Sequence, residues 1–359
     1  MTANRYDMKK LAKVAWAGFC TYSRLSNLVL RIRKHLKGSA PVAILTYHRI
    51  LPVEEMNESY SSPHIITSKR DFEKQIQFLA NHYEVLPLDS LADLPRQGAN
   101  GPTKCVVVTF DDGWQDNYHH AFPVLRKYRI PATIFLTTGF IGHHHAFWQE
   151  HLRFLLHVLS GKTINKGISF PESVGQWRED LTRIVNTDYS RSHVNALVQR
   201  IKDQDETMGG ALVSELDAFL GHPEFPIQSH AFLTWAQIRE MAADGVSFGS
   251  HTHRHRLLNR ISDKEVDVEI RESKQRLETE LGREVSTFAY PSGTYRSHIF
   301  GQLQAAGYRL AVTTEPGLNF MPTTSFYQLR RINVESKRFQ GVTGEFSESL
   351  FAARMAGML

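Results

Sequence analysis

Cys105-Val106-Val107-Val108-Thr109-Phe110-Asp111-Asp112-Gly113 is a short apolar run that stops abruptly on two acids and a glycine. The run is rich in β-branched residues and too short for a typical helix, so it reads as a buried strand. Two adjacent acids at a strand end point in different directions. One can bind a cation while the other stays free to move a proton. A plain turn is the other reading, because Asp-Gly is common in turns.

The same grammar recurs on both sides. Val42-Ala43-Ile44-Leu45-Thr46-Tyr47 is a second apolar run, and it ends on His48. Ala132–Leu136 is another, and 245–250 runs directly into a histidine cluster. Later strands are expected around 286–290, 309–313 and 328–334. Helical spacing separates them over 68–82 (Ser68 as N-cap), 114–128, 234–243 and 262–281. Strand–helix alternation with chemically loaded residues just past strand ends predicts an α/β fold, either a parallel barrel or a wound sheet. Residues 147–229 interrupt it with mostly helical, polar sequence carrying an apolar patch at Trp148, Leu152, Leu155, Leu156 and Leu159. The organisation expected is a basic helical segment over 1–40, barrel parts over 41–146 and 230–340, a helical insertion over 147–229 and a helical tail over 341–359. The insertion is a candidate for shaping substrate choice or for making an oligomer.

Composition narrows the function classes. Charged residues at 22% and aromatics at 11% exclude a disordered or collagen-like chain. Two cysteines, Cys20 and Cys105, make no disulfide framework and lack metal-ligand spacing. The net charge of +5 hides an asymmetry: residues 1–38 hold nine basic side chains against Asp7 alone, for +8, which leaves the body at −3. A mildly acidic body argues against broad nucleic-acid binding. The basic segment has helical periodicity through Leu11, Ala15, Gly18, Tyr22, Leu25, Val29, Ile32 and Leu36. Only ten uncharged residues separate Lys13 from Arg24, too few to span a bilayer or to form a signal peptide. A basic amphipathic helix with Trp16 and Phe19 suits peripheral contact with an anionic membrane. A helix packed on the body or on a second subunit is the other reading. The expected location is the cytoplasm, with a peripheral position on the inner face of the membrane, and an exported or anchored form is the alternative.

Two further constellations carry chemistry. In Ser250-His251-Thr252-His253-Arg254-His255, His251 and His255 are four residues apart and can face one cation, with His253 turned elsewhere. The run His143-His144-His145 sits in an expected loop and is not favoured as a metal site. Phe288-Ala289-Tyr290-Pro291-Ser292-Gly293 is a strand followed by a proline-glycine turn, whose backbone N–H groups can stabilise an oxyanion.

Taken in order, these three motifs resemble the polysaccharide-deacetylase family, the carbohydrate esterases that share the nodulation-deacetylase homology domain. The resemblance runs from about residue 42 to 335, apart from the insertion. It implies a distorted (β/α)7 barrel, one divalent metal ion, usually zinc, and an N-acetylated sugar or glycan as substrate. Asp112, His251 and His255 match the metal ligands, Asp111 the catalytic base, and Ser292 the backbone N–H that faces the oxyanion. The chain departs from the commonest pattern twice. Ala289 stands where an arginine usually steadies the base, and no histidine follows His298, so the usual C-terminal acid is absent. The Phe-Ala-Tyr-Pro-x-Gly subgroup, which includes poly-N-acetylglucosamine deacetylases, resembles the chain here, and its N-terminal strand also ends in Tyr-His. That makes His48 the candidate acid. Arg331, in Leu329-Arg330-Arg331-Ile332-Asn333-Val334, is the candidate replacement for the missing arginine, with Arg330 alternating to the opposite face. N-deacetylation of a surface polysaccharide or its lipid- or nucleotide-linked precursor is therefore expected. An O-acetyl esterase and a non-catalytic glycan-binding protein on the same fold are the alternatives.

Overall fold

The structure is a computed structural model that describes residues 2–23, 25–93, 104–143, 146–161, 170–186, 191–204, 207–226, 231–321, 323 and 325–359. His144 and His145 lie outside the described residues. The chain divides into two compact units, one of residues 1–56, 64–143 and 232–359, the other of 57–63 and 144–231.

The first unit is a closed parallel barrel. Its strands are β1 (Ala40–Tyr47), β5 (Cys105–Phe110), β6 (Ala132–Leu136), β7 (Ser247–Ser250), β8 (Thr287–Ala289), β9 (Leu310–Pro316) and β11 (Leu329–Asn333). Neighbours pair in the order β1-β11-β9-β8-β7-β6-β5, and β5 pairs back onto β1 to close the ring. A parallel strand buried on both faces has no solvent side to show, which is why β5 is apolar apart from Thr109 and every residue of it is buried. Two short strands extend the ring's edges: β4 (Glu84–Val85) on β5, and β10 (Asn319–Met321) antiparallel on β1. A separate pair, β2 (Arg49–Leu51) and β3 (Ile66–Ser68), follows His48.

Register carries the chemistry to one end. Val42 faces Cys105 and the pairing runs to Tyr47 opposite Phe110, so His48 and Asp111 leave their strands side by side. Leu136 pairs with Ser250, which brings His251 to the same end. Below it, Val42, Ile44, Val107, Phe135, Ala289 and Val312 belong to one buried apolar cluster. Helices clothe the ring. The Lys69–His82 helix is capped by Ser68, whose hydroxyl accepts from Asp71 N, and Asp263–Leu281 begins with a Ser262/Glu265 capping box.

Two helical readings change. The stretch after Gly113 is not one helix from residue 114: a π-helical turn, Asn117–Ala121, precedes the Phe122–Tyr128 helix. The N-terminal segment forms two helices, Thr2–Tyr22 and Leu25–Lys37, rather than one. Thr21 and Ser23 hydroxyls donate back to the Ala17 and Phe19 carbonyls, a backbone competition that bends and ends helices.

The second unit is helical. Leu152, Leu155, Leu156 and Leu159 share a core with Trp177, Leu181, Leu197 and Leu216. Gly209 allows a close helix approach, since a Cβ there would sit 2.5 Å from the Trp148 ring.

Candidate active site

Strand parity aims the first acid. Residues 105, 107, 109 and 111 share one side of β5, and Thr109 Oγ1 accepts from Arg331 Nη1 at 3.3 Å while donating to the Leu45 carbonyl at 2.7 Å. Asp111, 2% exposed, is held by both arms of Arg331, at 2.7 Å to Oδ1 and 2.6 Å to Oδ2. A bidentate guanidinium–carboxylate fork is the strongest common form of charge-assisted hydrogen bond. Arg331 is itself buried and donates Nε to the Thr313 carbonyl at 2.7 Å. A register shift between Leu329 and Arg331 in the β9–β11 ladder lies next to it, and Arg330 is exposed on the other face. Burial works to raise the Asp111 pKa, but the charges of Arg331 and His251 and the Arg331 hydrogen bonds outweigh it, and the carboxyl is held below its ordinary value.

Asp112 should point away by strand alternation, and a left-handed backbone at φ 76° turns it into the site. Its Oδ1 lies 3.5 Å from His251 Nε2 and 3.4 Å from His255 Nε2. The ligand atoms of all three residues fall within 4.8 Å of one another. Two ligand atoms each 2.0–2.1 Å from a tetrahedral zinc stand about 3.4 Å apart, so both Asp112–histidine spacings match that ion. His251 Nδ1 is 2.8 Å from the Ala289 carbonyl, which can only accept. Nδ1 therefore carries a proton, which leaves Nε2 as the nitrogen that a cation would take in place of a proton. Burial opposes ionisation of Asp112, yet hydrogen bonds to both histidines hold its pKa well below the usual range.

The loop that presents the histidines is bent twice, with φ of 67° at Thr252 and 60° at His255. Such backbone costs of order 1–3 kcal/mol per residue and persists only where its surroundings enforce it. Glu269, buried on the Asp263–Leu281 helix, does so here. Its Oε2 accepts from the N–H groups of His253 at 2.9 Å and Arg254 at 2.7 Å, while Thr252 Oγ1 accepts from His255 N at 2.9 Å. His253 turns outward to Thr138 Oγ1, 3.0 Å away.

His48 stands at the end of β1 with Nε2 3.8 Å from Asp111 Oδ2. Burial is the largest influence on it and lowers its pKa, against the raising charges of Asp112 and Asp111. Its carbonyl accepts from Asn117 Nδ2 at 2.7 Å, and the next residue, Arg49, bonds Asp116 Oδ2 at 2.9 Å and lies 4.5 Å over the Trp114 ring. Trp114 Nε1 in turn donates to Asp112 Oδ2 at 2.8 Å. This chain ties the strand bearing His48 to the loop bearing the metal-type carboxylate. Ser292 lies on the turn after β8, exposed, at φ 54°, with its carbonyl accepting from Thr314 Oγ1 at 3.2 Å. Gly293 beside it is obligatory, because a Cβ would lie 2.5 Å from Thr314 N.

The structure thus brings Asp111, Arg331, His48, Asp112, His251 and His255 to one barrel end. Sequence reasoning missed Trp114, Arg49, Asp116, Asn117 and Glu269. The signal for three of them was adjacency, since Trp114-Gln115-Asp116-Asn117 follows Gly113 directly. No local pattern marks Glu269.

A family model described as polysaccharide deacetylase matches residues 98–203 and 220–311, more than half of the chain. The chain belongs to that family. YxkH of Bacillus subtilis is 24% identical over 312 residues, covering 87% of this chain and 77% of that protein. The poly-β-1,6-N-acetyl-D-glucosamine N-deacetylase of Staphylococcus epidermidis is 36% identical over 117 residues, 30% of this deacetylase and 39% of the relative. Among solved structures, IcaB from Ammonifex degensii superposes with a TM-score of 0.55 at 19% identity, covering 89% of this chain and 98% of that one. Streptococcus pyogenes PplD gives 0.52 at 22% identity, covering 85% and 96%. Both share the barrel fold of the deacetylase.

Proposed function

We propose that this deacetylase removes the acetyl group from an N-acetylated amino sugar of a bacterial surface polysaccharide, or of its lipid- or nucleotide-linked precursor, with one zinc ion at Asp112, His251 and His255. The observation that carries the reading is the Arg331-clamped Asp111 carboxylate beside a three-ligand cluster of zinc spacing. The poly-N-acetylglucosamine deacetylase relative supports the amide substrate. When bound, the ion polarises an acetamide carbonyl and lowers the pKa of water. Asp111, kept ionised by Arg331, takes a proton from the attacking water. His48, with Nε2 3.8 Å from Asp111 Oδ2, receives the proton that Asp111 took from water and passes it to the departing amine nitrogen. The Ser292 N–H donates to the developing oxyanion.

The test is acetate release from nucleotide-linked, lipid-linked and polymeric N-acetylated sugars, beside O-acetylated ones. Asp111→Asn should abolish release, and Asp112→Ala and His255→Ala should lose stoichiometric zinc by elemental analysis. Release from esters only would replace the proposal with an esterase. His48→Ala should lower the amide rate roughly 10²–10⁴-fold and spare an aryl acetate, whose leaving group needs no proton. Equal losses on both substrates would remove His48 as the acid.

A further inference from the structure

The two N-terminal helices are built inside out for a helix on a soluble surface. Side chains facing the body are Ala17 and Cys20 in the first helix, which packs on the Glu348–Met355 helix, and Ser26, Leu30 and Lys34 in the second. Arg33 fixes the second helix by donating to the Ala356 carbonyl at 2.7 Å. The opposite side should then be polar. It is not. At 100° per residue, Met8, Leu11, Ala15, Phe19 and Tyr22 line up away from Ala17, and Tyr22 is 94% exposed. The second helix repeats this with Leu28, Ile32 and Leu36. Of the thirteen exposed large apolar side chains among the described residues, eight lie in 8–36. Scattered exposed leucines need no explanation, but a concentration like this marks a contact surface.

Charge selects the occupant. Lys9 and Lys13 are exposed on the first helix and Arg31 and Lys37 on the second, and Asp7 is the only acid in residues 1–38. A second copy of the chain would set one +8 segment against another. An anionic bilayer offers apolar depth and negative headgroups together, and Trp16, stacked on Phe19 at 6.1 Å, suits the boundary between them. Among the described residues no helix is long and apolar enough to cross a membrane. We propose that the outward face of the two N-terminal helices lies flat on an anionic lipid bilayer. The apolar stripe expected from sequence is this outward face, and the body is held by the small residues behind it.

The experiment is co-sedimentation of the full chain with vesicles of phosphatidylcholine alone or mixed with phosphatidylglycerol. Wild type should partition onto the anionic vesicles and less onto neutral ones, and added salt should weaken it. The double variant Leu11→Ser/Phe19→Ser should partition at least roughly tenfold more weakly. Its thermal midpoint and acetate release from a soluble substrate should not change, because neither side chain is buried in the body. Wild type that ignores anionic vesicles, or a double variant that binds as well as wild type, overturns the proposal. A wild type that dimerises through this face without binding vesicles, while the double variant is monomeric, assigns it to a second copy instead.

Discussion

Replacing Arg331 with methionine removes the fork on Asp111 while filling most of the same volume. Both side chains are nearly inaccessible, at 1% and 2%, so water cannot step in. An ion pair broken in this way leaves a lone buried carboxylate and costs about 3–5 kcal/mol. Against a total stability of about 5–15 kcal/mol that is a large share. For a chain of this size it corresponds to a fall in Tm of roughly 4–7 °C. The loss has a pH signature. Asp111 is held below its ordinary pKa, so its contribution is present above the unfolded-state value and fades as pH falls through the folded one. The gap between wild type and Arg331→Met should accordingly narrow in acid. Adding Asp111→Asn should return much of the stability, since the stranded charge is gone, and a double-mutant cycle by urea unfolding measures this. Arg331→Met within about 1 kcal/mol of wild type, or a double variant no more stable than the single, would refute the reasoning. Acetate release should fall in both, because neither keeps an oriented, ionised base.

Trp114→Phe keeps the stacking on Phe232, 4.7 Å away, but removes the donor to Asp112; zinc affinity by chelator competition should drop about 10–100-fold, with little change in fold. Glu269→Gln substitutes a neutral acceptor for the carboxylate that holds the His253 and Arg254 N–H groups. Zinc affinity should weaken by roughly tenfold while Glu269→Ala loses more, and equal behaviour of the two would show that the hydrogen bonds do not hold the loop. Glu265, with its pKa lowered to about 2 by Arg256 first and by Ser262, stabilises the Asp263–Leu281 helix above the ordinary value near 4.5. The Tm difference between wild type and Glu265→Gln should shrink as pH falls from 4.5 and vanish below about 2, read by circular dichroism.

What could be read from the chain alone followed the length scale of each interaction. β5 and its Asp111-Asp112 ending were legible because an apolar β-branched run and an Asp-Gly turn are local patterns. The parity that separates Arg331 from Arg330 was legible too, since strand alternation needs no tertiary information. Glu269 was not, because a surface-periodic helix gives no sign that one acid will reach back to two N–H groups in a distant loop. The pairing of β2 with β3 and the joining of residues 57–63 to the helical unit are likewise long-range events. At the N-terminus the periodicity identified an apolar stripe and left two directions open, towards a membrane or towards the body. A stripe usually faces the body, and here the docking is done by Ala17, Cys20 and Leu30.

β1 pairs with both β5 and β11, and the clamp it helps close joins residues 220 positions apart. The site is therefore among the last parts of the chain to exist. A ribosome must release Arg331 before Asp111 has its partner, and the loop entropy of that closure makes assembly slow compared with local helix formation. Until Arg331 arrives Asp111 lacks its counter-charge, although β1, which ends at His48, and β5 have both already been made. Activity is thus gated by completion of the ring, and a protease cut between β9 and β11 would part Arg331 from the piece of chain that carries Asp111, Asp112, His251 and His255.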